Sequence, residues 1–112
     1  MSTSQLTISV HHPMCFMDIN IGIKTVEGHS ASSLIGQQMR TLSAGDIVTF
    51  EYLGGRGIKC VVLETRSYRN IQDMIAKDLK NVSPHRGRKE AMRYYRSIME
   101  DGEICAIEFV KL

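Results

Sequence analysis

An α+β fold is predicted for this 112-residue chain: a small curled sheet or barrel of short, mixed or antiparallel strands, with about three helices set against its openings. Three observations predict it. Short runs rich in β-branched residues recur at 6–10, 46–53, 58–68 and 104–110. Apolar side chains fall at helical spacing in three other stretches, 13–21, 70–80 and 87–99. Glycine and proline stand between these segments, where strands turn and helices stop. With a short strand at 24–28, the order reads β-α-β-β-β-α-α-β.

Each element has its own signal. "LTISV" (6–10) alternates as a half-buried strand does, behind a flexible tail over residues 1–5. Pro13 suits a first helical turn, and Met14, Met17 and Ile21, with Phe16 nearby, form the expected buried face. Gly22 is placed to end that helix in the left-handed conformation, so that Lys24 stands at a helix-to-strand corner. "HSASS" (29–33) reads as a loop. Gly45 and Asp46 turn the chain into a strong strand, and Gly54, Gly55 and Gly57 connect it as a hairpin to "IKCVVLETRSY". Asn70 caps the helix over 70–80, Pro84 breaks it, and 87–99 restores helical periodicity. The last strand, "EICAIEFVKL", has apolar residues on both of its sides. The methionines at 14, 17, 39, 74, 92 and 99 are expected to fill the core.

Composition excludes several classes. Cys15, Cys60 and Cys105 are odd in number and form no CxxC pair, which argues against a disulfide framework or a thiolate zinc site and favours an intracellular setting. His11, His12, His29 and His85 lack zinc-ligand spacing, so no metal is expected. There is no Walker sequence, dinucleotide fingerprint or GxSxG elbow, and no cofactor is implied. No stretch is apolar enough for a membrane span, and no secretory signal is evident. The net charge is +2, but residues 86–96 alone hold five basic residues and one acid. That concentration centres the partner question on one segment, whose basic face suits a polyanion such as a nucleic acid or an acidic protein.

"GIKTVEGH", "LSAGDIVTFE", "VVLETRSYRNIQDMIA", "NVSPHRG", "YYRSIM" and "CAIEFVKL" together resemble the activating-signal-cointegrator homology (ASCH) domain over nearly the whole chain, residues 6–112. The motif positions are Gly22, Lys24, Glu27 and Gly28, with His29 where arginine is common. The resemblance implies a β-barrel related to the pseudouridine synthase and archaeosine transglycosylase (PUA) fold. It also implies binding of RNA or DNA. Some small members hydrolyse RNA or the amide of N4-acetylcytidine, the latter with the motif lysine, a threonine three residues on and a downstream glutamate. Here the position three residues after Lys24 is Glu27, while Thr25 is adjacent, and the only downstream glutamate in that region is Glu90.

The expected function is therefore binding of RNA or a modified nucleoside in a cleft around Lys24 and Glu27. A small hydrolase, with Lys24, Glu27 and Thr25 as its catalytic residues, is the alternative. Lys24 would meet a phosphate or carbonyl oxygen, and Glu27 a base edge or Lys24 itself. Arg86, Lys89, Arg93 and Arg96 fall within about a quarter of a helical wheel and, with Arg88, are expected to hold backbone phosphates. Tyr68 and Arg69, at a strand-to-helix junction, are candidates for base stacking and phosphate contact.

Overall fold

The computed structural model describes residues 4–112. Its elements are β1 (Gln5–Val10), α1 (Pro13–Ile21), β2 (Val26–Ser30), α2 (Leu34–Met39), β3 (Ile47–Tyr52), β4 (Gly57–Tyr68), α3 (Ile71–Val82), α4 (Arg88–Ile98) and β5 (Ile104–Lys111). The first three residues of the expected tail lie outside the described chain, and Gln5 already belongs to β1. Five strands form one mixed sheet in the order β1-β3-β4-β5-β2. β1 runs parallel to β3, and every other pairing is antiparallel. The sheet curls into a half-barrel, the α+β architecture that the short strands and their punctuation imply. No helix among the described residues is long and apolar enough to cross a membrane.

Two cores lie on the two faces of the curl. One gathers Ile8, Phe16, Ile19, Met39, Val48, Phe50, Val62, Ile107 and Phe109 beneath α1 and the end of α2. The other packs Tyr68, Ile71, Met74, Ile75, Ala91, Tyr95, Ile104 and Ala106 beneath α3 and α4. β5 serves both, which explains why "ICAI" is buried at four successive residues and why its two sides look alike in sequence.

Four helices flank the sheet, one more than expected. The loop expected over 29–33 is shorter, since His29 and Ser30 belong to β2, and α2 follows it in a stretch with no sequence signal of its own, its six residues being too few to show a period. Its start is nevertheless fixed, because the Ser33 hydroxyl accepts from the Gly36 amide. α1 also buries a different face from the one its methionines suggest. Phe16, Asp18 and Ile19 point inward, while Met14, Met17 and Ile21 are exposed. Met39 and Met74 do fill the core, and Met92 and Met99 pack at its margin.

The local signals at the ends of α1 and α3 act as their chemistry dictates. Gly22, at φ 87°, closes α1 by sending its amide back to the Asp18 and Ile19 carbonyls. The Asn70 side chain accepts from the Asp73 amide at 2.8 Å, and the Asp73 carboxylate accepts from the Arg69 amide at 3.0 Å. Asn70→Ala removes the first of these bonds and is expected to cost about 1 kcal/mol, read as a lower urea midpoint at unchanged slope. At the other turn, Asp46 accepts from the amides of Ser43 and Ser4, tying the Gly45 corner to the start of β1.

Candidate functional site

A cleft of about 310 Å³ opens where α1 and α4 meet over the edge strand β2. α1 and its cap contribute His12, Met14, Cys15 and Asp18. The corner and β2 contribute Lys24, Glu27, Gly28 and His29, and the α3–α4 connection contributes Ser83, Pro84, His85 and Arg86. Strand alternation puts Glu27 and His29 on one face, and Lys24 enters from the turn that Gly22 makes possible. Gly28 sits opposite Ala106, where a Cβ would come within 2.8 Å of the Met74 sulfur.

Lys24 is 3 % exposed, and its ammonium is fully committed. Nζ donates to the Val26 carbonyl at 2.8 Å and to the Val82 carbonyl at 2.7 Å, and it lies 3.0 Å from Glu27 Oε1. A lysine has three donors, so none is left for a ligand. Its bond to Val82 satisfies a carbonyl of the last helical turn of α3 and places positive charge at that helix's negative end. The Tyr95 hydroxyl donates to the same Val82 oxygen. Burial works against the charged lysine, but the adjacent Glu27 carboxylate outweighs it and holds the ammonium pKa above its ordinary value.

Glu27 is the complement. Burial alone would raise its pKa, yet Lys24 and then His29 bring it down to about 2. His29 Nε2 stands 3.0 Å from Oε2 and, facing an ionised carboxylate, must carry the proton. Each carboxylate oxygen thus receives one protein donor, and lone pairs remain toward the cleft. Cys15 is the reverse case: burial, reinforced by Glu27, pushes its thiol up to about 12, so it is no thiolate nucleophile.

The start of α1 and the α3–α4 connection form the remaining wall. Arg86 lies before α4, with its guanidinium 3.6 Å from the centre of the Tyr94 ring and 2.9 Å from the Ser83 hydroxyl. His12 meets Tyr94 edge-on, and its Nδ1 accepts from the Met14 amide, which leaves the proton of the neutral ring on Nε2. His85 Nε2 stands 2.9 Å from the Asp18 carboxylate. The clue to Asp18 in the sequence is an acid inside the apolar run "CFMDINI". Its backbone carbonyl accepts from the amides of Gly22, Ile23 and Lys24, so it also shapes the corner.

The basic residues divide. Arg86 faces the cleft with Glu90, Tyr94 and Ile98, whereas Arg88, Lys89, Arg93 and Arg96 line a second groove on the other flank of α4. That groove, about 600 Å³, has Ile75, Ala76 and Met92 in its lining. The single ridge expected from the wheel therefore excludes Arg86, because the helix begins only at Arg88. Ile98, on the cleft side of α4, is more than half exposed. Thr25 is not in the cleft lining: its amide bonds the Asn81 carbonyl and its carbonyl accepts from Phe109. Tyr68 is buried in the second core with its hydroxyl donating to Asp78, so its ring has no open face for a base. Arg69 extends into solvent near Asp73.

No protein-family model and no curated protein matches the chain. Solved structures do. The hypothetical protein PH0355 is 25 % identical, with 96 % of this chain and 99 % of that one aligned at a TM-score of 0.77. Protein PF0455 from Pyrococcus furiosus is 24 % identical over 99 % of this chain and 98 % of its own, at a TM-score of 0.67. Protein EF3133 from Enterococcus faecalis V583, described by the family model DUF984, is 9 % identical over 100 % and 82 %, at a TM-score of 0.66. These likenesses establish a shared fold.

Proposed function

We propose that this chain is a nucleic-acid-binding domain of ASCH type that takes an RNA base or a modified nucleoside into the cleft over Glu27. The observation that carries the reading is an ionised carboxylate held in place at a cleft of about 310 Å³, with an arginine of the same lining carrying unused donors. That volume is at the small end of ligand pockets, the scale of a single nucleoside. Glu27 reads the base edge, and Lys24 keeps Glu27 charged and fixed. Arg86 meets the adjoining phosphate, or stacks on the base as it stacks on Tyr94. Arg88, Lys89, Arg93 and Arg96 hold neighbouring phosphates along the far flank of α4.

A hydrolase has less to work with. A lysine with all three donors spent is a poor electrophile, and a carboxyl with a pKa of about 2 is a weak base at neutral pH.

Filter-binding titrations with single-stranded RNA at several salt concentrations test the reading. Affinity should fall steeply with salt. Arg93→Glu combined with Arg96→Glu should lower it at least about tenfold at low salt and flatten the log–log slope by roughly 1.4, the share of two single-strand phosphate contacts. No affinity at low salt, or no change in the double variant, would reject the binding surface.

A further inference from the structure

From the hydrogen-bond inventory of this cleft we infer that its base is guanine, recognised through the two adjacent N–H groups of its Watson–Crick edge by the Glu27 carboxylate. The inference rests on the nucleoside reading and narrows it to one base.

The argument is one of donors and acceptors. Lys24, the cation nearest the carboxylate, offers a ligand nothing, since Val26, Val82 and Glu27 take its three hydrogens. His29 spends its Nε2 proton on Glu27. What this part of the cleft presents is therefore a fixed acceptor: two carboxylate oxygens, each already holding one donor and each with room for another. The side chain is 14 % exposed, enough to be met by a ligand edge and too little to be well solvated. An anionic acceptor deprived of water favours a ligand that brings donors and penalises one that brings lone pairs.

The four bases differ sharply on that test. Guanine places N1–H beside the N2 amino group, and two parallel N–H groups match the two oxygens of one carboxylate in the bidentate manner of a guanidinium. Adenine sets its amino group beside the N1 lone pair, and cytosine sets its amino group beside the N3 lone pair, so each turns an acceptor toward Glu27. Uracil has one N–H between two carbonyls. Acylation of the cytosine amino group leaves a single N–H and adds a further acceptor. The guanine O6, next to N1, needs a donor of its own. Arg86 and the Nε2–H of His12 line the same cleft and are the available donors.

The test is a calorimetric or fluorescence titration of the protein with GMP, IMP, AMP and CMP at one ionic strength. IMP keeps N1–H and lacks only the amino group. GMP should bind tightest, IMP about tenfold to a hundredfold weaker for the loss of one charge-assisted bond, and AMP and CMP at least as weak as IMP. In Glu27→Gln, which keeps an oxygen but replaces the other with an amide, the GMP preference over IMP should collapse toward equality. The monophosphate series on the unaltered protein stands even if that variant does not fold. AMP or CMP binding as tightly as GMP, or an unchanged GMP-to-IMP ratio in a folded Glu27→Gln protein, would overturn the guanine assignment while leaving the nucleoside reading intact. No binding of any of the four at millimolar concentration would overturn both.

Discussion

Lys24→Met is expected to lower the stability of the domain by about 3–5 kcal/mol, the cost of breaking a buried ion pair from one side, and its melting temperature by roughly 12 °C or more. The substitution removes one charge and three bonds at once. Glu27 is left buried without its principal counter-ion, the Val26 carbonyl loses the lysine donor, and the Val82 carbonyl keeps only the Tyr95 hydroxyl. The effect has a pH signature. The folded pKa of Glu27, about 2, lies below its ordinary 4.5, so the carboxylate contributes stability above about pH 4.5 that is lost as the pH falls toward 2. By linkage that contribution is about 3 kcal/mol at neutral pH. In the variant the depression is relieved, so the gap between the two proteins should be widest at pH 7 and narrow markedly by pH 3. Thermal melts at both values check it. Adding Glu27→Gln to Lys24→Met removes the stranded charge and should restore part of the loss.

Gly36→Ala is expected to be as damaging, although it lies on no cleft. A Cβ on residue 36 would stand 2.0 Å from the Ser30 carbonyl oxygen and 2.8 Å from its carbon. Those are backbone atoms held by the Ser33 amide at 3.0 Å and the Ser33 hydroxyl at 2.7 Å, and they have no rotamer to escape into. Helix propensity pulls the other way, since alanine is better than glycine by about 1 kcal/mol. Sterics win, because α2 must lift from the end of β2 and expose Met39, which is fully buried. A loss of at least about 3 kcal/mol is expected, at the upper end of overpacking costs. Gly87→Ala, with nothing within 4 Å and an ordinary φ of −74°, is the control and should change little. Equal melting temperatures for the two variants would refute the account.

What the sequence disclosed depended on how local each signal was. The Pro13 start, the Gly22 end, the Asn70 cap and the Gly54 turn each act within a few residues, and all four lie where expected. The spacing of Lys24 and Glu27 also brings them together, for the same reason. α2 was hidden because six residues carry no period. The inward face of α1 was misjudged because Phe16 and Ile19 join the first core, and Asp18, an acid that would ordinarily mark the outer side, is buried for its bonds to the corner and to His85. Least legible was the fate of the Lys24 ammonium. Two of its partners are carbonyls, one of them 58 residues away, and no side-chain pattern records where a carbonyl will point. Arg86 was assigned to the wrong flank because a helical wheel presumes a helix, and at that residue there is none.

The strand order has a kinetic corollary. β2, which carries Glu27, has β5 as its sheet neighbour, so Gly28 must wait for Ala106. Closing so long a loop is slow and gains no compensation until the far strand docks. Thr25, beside the ion pair, donates its amide to the Asn81 carbonyl and accepts from the Phe109 amide, so the surroundings of the pair are complete only once β5 has docked. Nascent or truncated chains lacking residues 104–108 should therefore retain the β3–β4 hairpin but have no cleft, and binding competence should appear only with the slowest refolding phase.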